Sequence, residues 1–252
     1  MNRLARYLLL FALAFLLFLL LLAPADLITG PLAARLPGFS VQTVHGSAVA
    51  GAADGLRWRG VQVQRLGWAW RPLTLLSGWL EFRLKIDDPE INLAGRAAIQ
   101  LGQHVRFREW SGHLPLVELA KLAGQPQLPV QGVVAFDLSE LRLNPDGRPL
   151  AAQGEAQLRD LRLMLGQPLA LGDFTAQLKP AEPQGIAGVV RDNNGPLVLE
   201  GAFSLMPDGR YQFTGQAAIR DADNRALRQA MRLLGPPGTD GRWALNFSGA
   251  LP

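Results

Sequence analysis

Residues 7–23 limit this chain more than any other stretch. From Leu8 to Leu22 they hold ten Leu, three Phe and two Ala, with no polar side chain. At 1.5 Å per residue they make a helix of roughly 26 Å, long enough for the hydrocarbon layer of a thin bilayer. Each Leu or Phe favours insertion by roughly 0.3–0.6 kcal/mol, so together they contribute several kcal/mol. The segment is predicted to be a transmembrane helix anchored by Leu8, Phe11, Phe15, Phe18 and Leu22.

Arg3 and Arg6 precede the span, while the twelve residues beyond it carry one acid, Asp26, and one base, Arg35. The positive-inside rule keeps residues 1–6 in the cytoplasm and sends residues 24–252 across. Ala23-Pro24-Ala25 also spells a small-x-small cleavage site, so a removed signal peptide is the competing reading. Two features favour the uncleaved anchor: the run is at the long limit of a signal peptide's apolar core, and the proline of Ala23-Pro24-Ala25 stands where a peptidase needs extended backbone.

The exported part holds all 21 acidic residues and 23 of the 25 basic ones, a formal charge of about +2. That balance is no nucleic-acid footprint. The chain has no cysteine, which excludes thiolate nucleophiles, thiolate metal sites and disulfide scaffolds. An exported fold held by packing alone fits a bacterial envelope.

Residues 24–38, bounded by Pro31 and Pro37, read as a short tether. From Phe39 the pattern alternates. Residues 41–49 read as a strand breaking at Gly46, and residues 56–64 alternate apolar with polar, which gives a strand one dry and one wet face. Leu66, Trp68 and Trp70 share a side. Leu80, Phe82, Leu84 and Ile86 then form an apolar sheet face opposite Glu81, Arg83 and Lys85, the pattern of an amphipathic antiparallel strand. A short helix is predicted over residues 113–124, with an early Pro115 and a terminal Gly124. The Pro-rich stretch 125–129 marks a boundary between a first half, 39–124, and a second, 125–252.

The second half repeats the theme. A strand with a break near Asp160 is expected over 154–164, and a short one over 174–178. Asp192-Asn193-Asn194-Gly195 signals a hairpin, as does Pro207-Asp208-Gly209. A second helix, capped by Asp221 or Asp223 and stopped by Gly235-Pro236-Pro237, carries Leu227, Ala230, Met231, Leu233 and Leu234 on its apolar stripe. The predicted fold is therefore mainly β: one transmembrane helix, then an antiparallel sheet domain of two similar halves with two short helices.

Catalytic patterns are missing. His45, His104 and His113 have no metal-ligand spacing, and neither a serine elbow nor a phosphate-binding glycine loop occurs. The acidic clusters 87–90 and 221–224 lack the spaced ligands of a calcium loop. No enzyme activity, cofactor or metal is expected. Trp68 and Trp70 read as sheet core, whereas Trp79 and Trp110, each beside charged residues, are candidates for an aromatic surface facing a partner.

Val44-His45-Gly46-Ser47-Ala48-Val49-Ala50-Gly51, Leu66-Gly67-Trp68-Ala69-Trp70-Arg71-Pro72 and Leu75-Leu76-Ser77-Gly78 resemble the N-terminal signature of the general secretion pathway protein N family, the N component of type II secretion systems. Gly195-Pro196-Leu197-Val198-Leu199-Glu200-Gly201, Asp208-Gly209-Arg210-Tyr211 and the ending Phe247-Ser248-Gly249-Ala250-Leu251 resemble its C-terminal half. The resemblance implies a bitopic inner-membrane protein with a periplasmic β-rich domain, acting through contacts with other secretion components in the export of folded proteins. It carries no catalytic residues. The family's sheet also resembles envelope proteins of the AsmA-like kind, whose β-grooves handle lipid, so lipid held against Leu80, Phe82, Leu84 and Ile86 is the alternative.

Overall fold

The computed structural model describes Tyr7, Phe11, Phe15, residues 23–25, Gly30, Leu36 and residues 38–100, 104–145, 147–221 and 223–250. The first six strands are β1 (Thr43–Gly46), β2 (Ala50–Trp58), β3 (Val61–Arg71), β4 (Trp79–Asp87), β5 (Asn92–Gln100) and β6 (Val105–Pro115). Seven more follow: β7 (Val130–Leu143), β8 (Pro149–Leu165), β9 (Gln167–Pro180), β10 (Ile186–Asp192), β11 (Leu197–Leu205), β12 (Arg210–Ile219) and β13 (Trp243–Ala250). Each pairs antiparallel with the next, so all thirteen form one sheet in chain order. Helix α1 (Leu116–Leu122) interrupts between β6 and β7, helix α2 (Arg225–Arg232) between β12 and β13, and a 3-10 helix, Pro72–Ser77, joins β3 to β4.

A meander is made by its turns. Asn194, at φ 61°, turns β10 into β11 because Asn tolerates the left-handed region. Residues 56–64 are not one strand. They fold as a hairpin, with Arg59 at φ 48° and Gly60 at φ 81°, the two successive positive angles of a tight two-residue loop. Between β11 and β12 the Asp208 carboxylate accepts from the Arg210 backbone N–H at 3.0 Å and from its Nε at 2.6 Å. The backbone N–H foremost, and the guanidinium after it, hold the Asp208 carboxyl below its ordinary value. A carboxyl-carbon NMR titration is expected to find its midpoint there. With the folded value depressed, the support Asp208 gives this turn is present above the unfolded value and fades as pH falls through the folded one.

The helices differ in detail from the sequence pattern. α1 begins at Leu116 rather than His113: Pro115, at ψ 139°, is its N-cap and still pairs with Val133 as the last residue of β6. α2 is capped by neither Asp221 nor Asp223 but by Asn224, whose Oδ1 accepts from the Leu227 N–H at 3.0 Å. It ends at Arg232, leaving Leu233 and Leu234 exposed beyond it. β9 runs over fourteen residues where a short strand at 174–178 is predicted.

Burial collects in three clusters. Phe174, Leu197, Ala217 and Leu245 pack under Leu227 and Met231 of α2. Val61, Val63, Ile91 and Leu114 draw in Leu122 of α1 together with Val134 and Phe136. Ala25, Ala53 and Trp68 form the third, with Phe82 and Leu84 against them. Strands β3 and β7 are four steps apart, about 19 Å in a flat sheet, so sharing a cluster means the sheet rolls at this end. The 125–129 stretch lies in the α1–β7 connection, and β6 pairs with β7 from Val105–Leu143 to Pro115–Val133, so the ladder continues across the two halves.

Of the residues predicted to form a membrane anchor, Phe11 and Phe15 are helical and exposed, their rings stacked at 6.3 Å. Leu8, Phe18 and Leu22 lie outside the described residues. Among the described residues no helix is long and apolar enough to cross a membrane.

Candidate functional site

Cross-strand register decides which side chains share a face. Leu80, Phe82, Leu84 and Ile86 on β4 lie opposite Ile99, Ala97, Gly95 and Leu93 on β5. On the other flank Phe82, Leu84 and Ile86 meet Trp70, Trp68 and Leu66 of β3. Across the sheet the face ends on Phe213 of β12 and Phe247 of β13, stacked at 6.2 Å. α1 packs against β3, β6 and β7, and α2 against β9. This leaves Leu80, Ile99 and Phe247 exposed, with Phe82, Leu84 and Ile86 half-buried.

Trp79 and Trp110 stand on opposite faces, each half-buried. Trp79 is on the polar face with Glu81, and the Arg106 guanidinium sits 4.1 Å above its ring. Beside it Glu81 is only 3% exposed. Its Oε1 accepts from the Arg71 guanidinium at 2.8 Å, with an Arg96 nitrogen at 4.0 Å. Arg96 also pairs with Glu109. A buried carboxylate is stable only with such partners.

Trp110 reaches the apolar face because Glu109, at φ 52°, bulges β6 where its register with β5 shifts. Its ring lies over Gly95, where a Cβ would meet it at 2.6 Å. Phe107 meets it edge-on at 5.5 Å, and the indole N–H donates to the Arg96 carbonyl at 3.0 Å. Gly95→Val is expected to expel this ring and quench-shift tryptophan emission to the red.

The sequence reading missed the last strand as a site. β13 is an edge: β12 pairs with one side of it, and among the described residues nothing pairs with the other. Its eight residues, WALNFSGA, include no charge and no proline, and all five after Leu245 are exposed. Edge strands in natural sheets are normally blunted by such residues or kept short. The opposite edge, β1, is four residues long and carries His45 beside Asp54 at 3.3 Å. The signal was legible as a missing charge in an amphipathic strand.

Among the described residues no three His, Asp or Glu side chains gather as a metal site. His45, His104 and His113 are exposed.

The family described as type II secretion system (T2SS), protein N, matches residues 37–246. Type II secretion system protein N of Klebsiella pneumoniae is 30% identical over 253 residues, 98% of this chain and 96% of the relative. The protein of that name from Pectobacterium carotovorum is 26% identical, covering 95% and 94%. That of Vibrio cholerae serotype O1 is 24% identical over the full length of both. No solved structure matches. With the family match covering residues 37–246 and a relative 30% identical along nearly its whole length, this chain belongs to the type II secretion system protein N family.

Proposed function

We propose that the protein is a non-catalytic component of the type II secretion machinery, anchored in the inner membrane by residues 7–23, with its sheet in the periplasm. It works by adding a strand of another secretion component to β13. The carrying observation is that edge: eight uncharged residues whose outer backbone groups have no partner among the described residues. Main-chain hydrogen bonds supply affinity in such pairing, and alternate side chains supply selectivity.

A photo-crosslinking residue at Asn246, incorporated in cells assembling the secretion system, is expected to capture another component. The adjacent variants Asn246→Pro and Phe247→Pro separate the two sides of the strand. Neighbouring residues point their N–H groups alternately toward β12 and away. One variant is therefore expected to lose the fold and the other only the crosslink from a probe at Ser248. Crosslinks unchanged in a folded proline variant would end the strand-addition reading.

The exposed stretch of the apolar face at Leu80 and Ile99 favours a second reading, in which the face holds an acyl chain. Native mass spectrometry of protein extracted without added phospholipid tests it. Near-stoichiometric lipid that is lost in Phe82→Lys, with the fold intact, supports lipid binding, and a lipid-free protein removes it.

A further inference from the structure

We infer that the 3-10 helix Pro72–Ser77 is a second membrane contact, a leucine wedge inserted into the periplasmic leaflet of the bilayer that residues 7–23 enter. The inference rests on reading those residues as a membrane anchor. Leu73, Leu75 and Leu76 are 80%, 56% and 90% exposed, and no residue of this helix is buried. Among the described residues none covers these three leucines.

Their position suggests the occupant. The Ala23 carbonyl, at the end of the apolar run, accepts from the Ala48 N–H at 2.8 Å, and Pro24 bridges to Ser47. Ala25 is then buried against Ala53 and Trp68. The next residue of the same turn, Val49, accepts from the Trp70 N–H at 2.6 Å, two residues before Pro72. Two hydrogen bonds thus tie the exit of the apolar segment to the base of the leucine helix. A bilayer holding the first lies against the second.

The local chemistry suits a lipid environment, where each polar group needs a partner within the protein. Thr74 Oγ1 donates to the Arg71 carbonyl and Ser77 Oγ to the Thr74 carbonyl, both at 2.7 Å. The Gly78 N–H, in a left-handed cap, returns to the Leu75 carbonyl at 3.0 Å. Pro72 opens the helix with no N–H to satisfy. Directly after it come Trp79 and its Arg106 partner, an indole and a cation of the kind that settle at headgroup level.

Because the chain has no cysteine, single-cysteine probes report depth. Full-length protein is reconstituted in phosphatidylethanolamine–phosphatidylglycerol vesicles with an environment-sensitive dye at Leu76→Cys, at Phe11→Cys, or at Glu90→Cys in the turn at the opposite end of β4. Lipid-borne nitroxide is expected to quench the first two, and aqueous iodide the third. Adding Leu73→Ser and Leu75→Ser to Leu76→Cys is expected to shift its quenching from nitroxide to iodide while circular dichroism stays unchanged. A Leu76 probe quenched by iodide while the Phe11 probe is quenched by lipid overturns the wedge and leaves the anchor standing. A Phe11 probe in water with Leu76 in lipid removes the anchor and keeps the wedge; both probes in water overturn both.

Discussion

Arg71→Ala is expected to lower the unfolding free energy by about 2–4 kcal/mol, a large share of the roughly 5–15 kcal/mol typical of a domain. The cause lies at the other end of the pair. Glu81 is 3% exposed, and Arg71 is its hydrogen-bonded partner at 2.8 Å. Taking Arg71 away leaves a carboxylate in the sheet with only Arg96 at 4.0 Å, already engaged by Glu109. The figure stands below the full cost of an orphaned buried charge because Arg71 itself is 41% exposed, so solvent weakens the attraction being lost. Urea unfolding followed by tryptophan emission measures the change. The double variant Arg71→Ala, Glu81→Leu is expected to recover much of the loss, since an apolar replacement removes the stranded charge. If single and double variants lose equally, packing by the Arg71 stem rather than the carboxylate is what stabilises this corner. The same pair joins the last residue of β3 to β4 across the leucine helix, so Arg71→Ala is also expected to loosen that connection.

Much of the sheet was readable because its strands obey a period of two, and what escaped lies where the period slips. On β4 the alternation Leu80, Phe82, Leu84, Ile86 is unbroken, and the four lie opposite Ile99, Ala97, Gly95 and Leu93 of β5. On β6, counting by twos from Val105 and Phe107 puts Trp110 on the polar side. The bulge at Glu109 resets the count, bringing Trp110 against Phe107 and Gly95. The same device recurs on β8, where Asp160 at φ 52° lets Leu158 and Leu161 join one cluster. There the break was foreseeable, because aspartate is a common turn residue. Glu109 gave no such notice, and neither did Arg59, which turns β2 into β3 with only Gly60 as a signal. The buried Glu81 was hidden for another reason. Alternation assigns it to the side opposite the apolar face, but burial there comes with Arg71 and Arg96 arriving from β3 and β5, which no local pattern records.

Leu227→Ala is expected to cost about 3–4 kcal/mol, within the usual range for emptying a leucine site in a core. Leu227 is 1% exposed, and it is the one large side chain among the described residues that falls below 2%. It and Met231 fasten α2 over Phe174, Leu197, Ala217 and Leu245. An eight-residue helix has little stability of its own in water, so the helix is held by this contact and by its Asn224 cap, worth about 1 kcal/mol. Losing the leucine therefore undocks α2 more readily than it leaves a void. Three arginines, Arg225, Arg228 and Arg232, then become cleavable, and limited trypsin digestion is expected to cut there far faster than in the parent protein. Asn224→Ala is expected to speed the same cuts by a smaller factor. Rapid cleavage without a drop in the midpoint of urea unfolding would mean that α2 is a lid over the apolar face and adds little to the fold. Rapid cleavage together with a lower midpoint makes it a structural part of the sheet, closing the face that α1 closes at the other end.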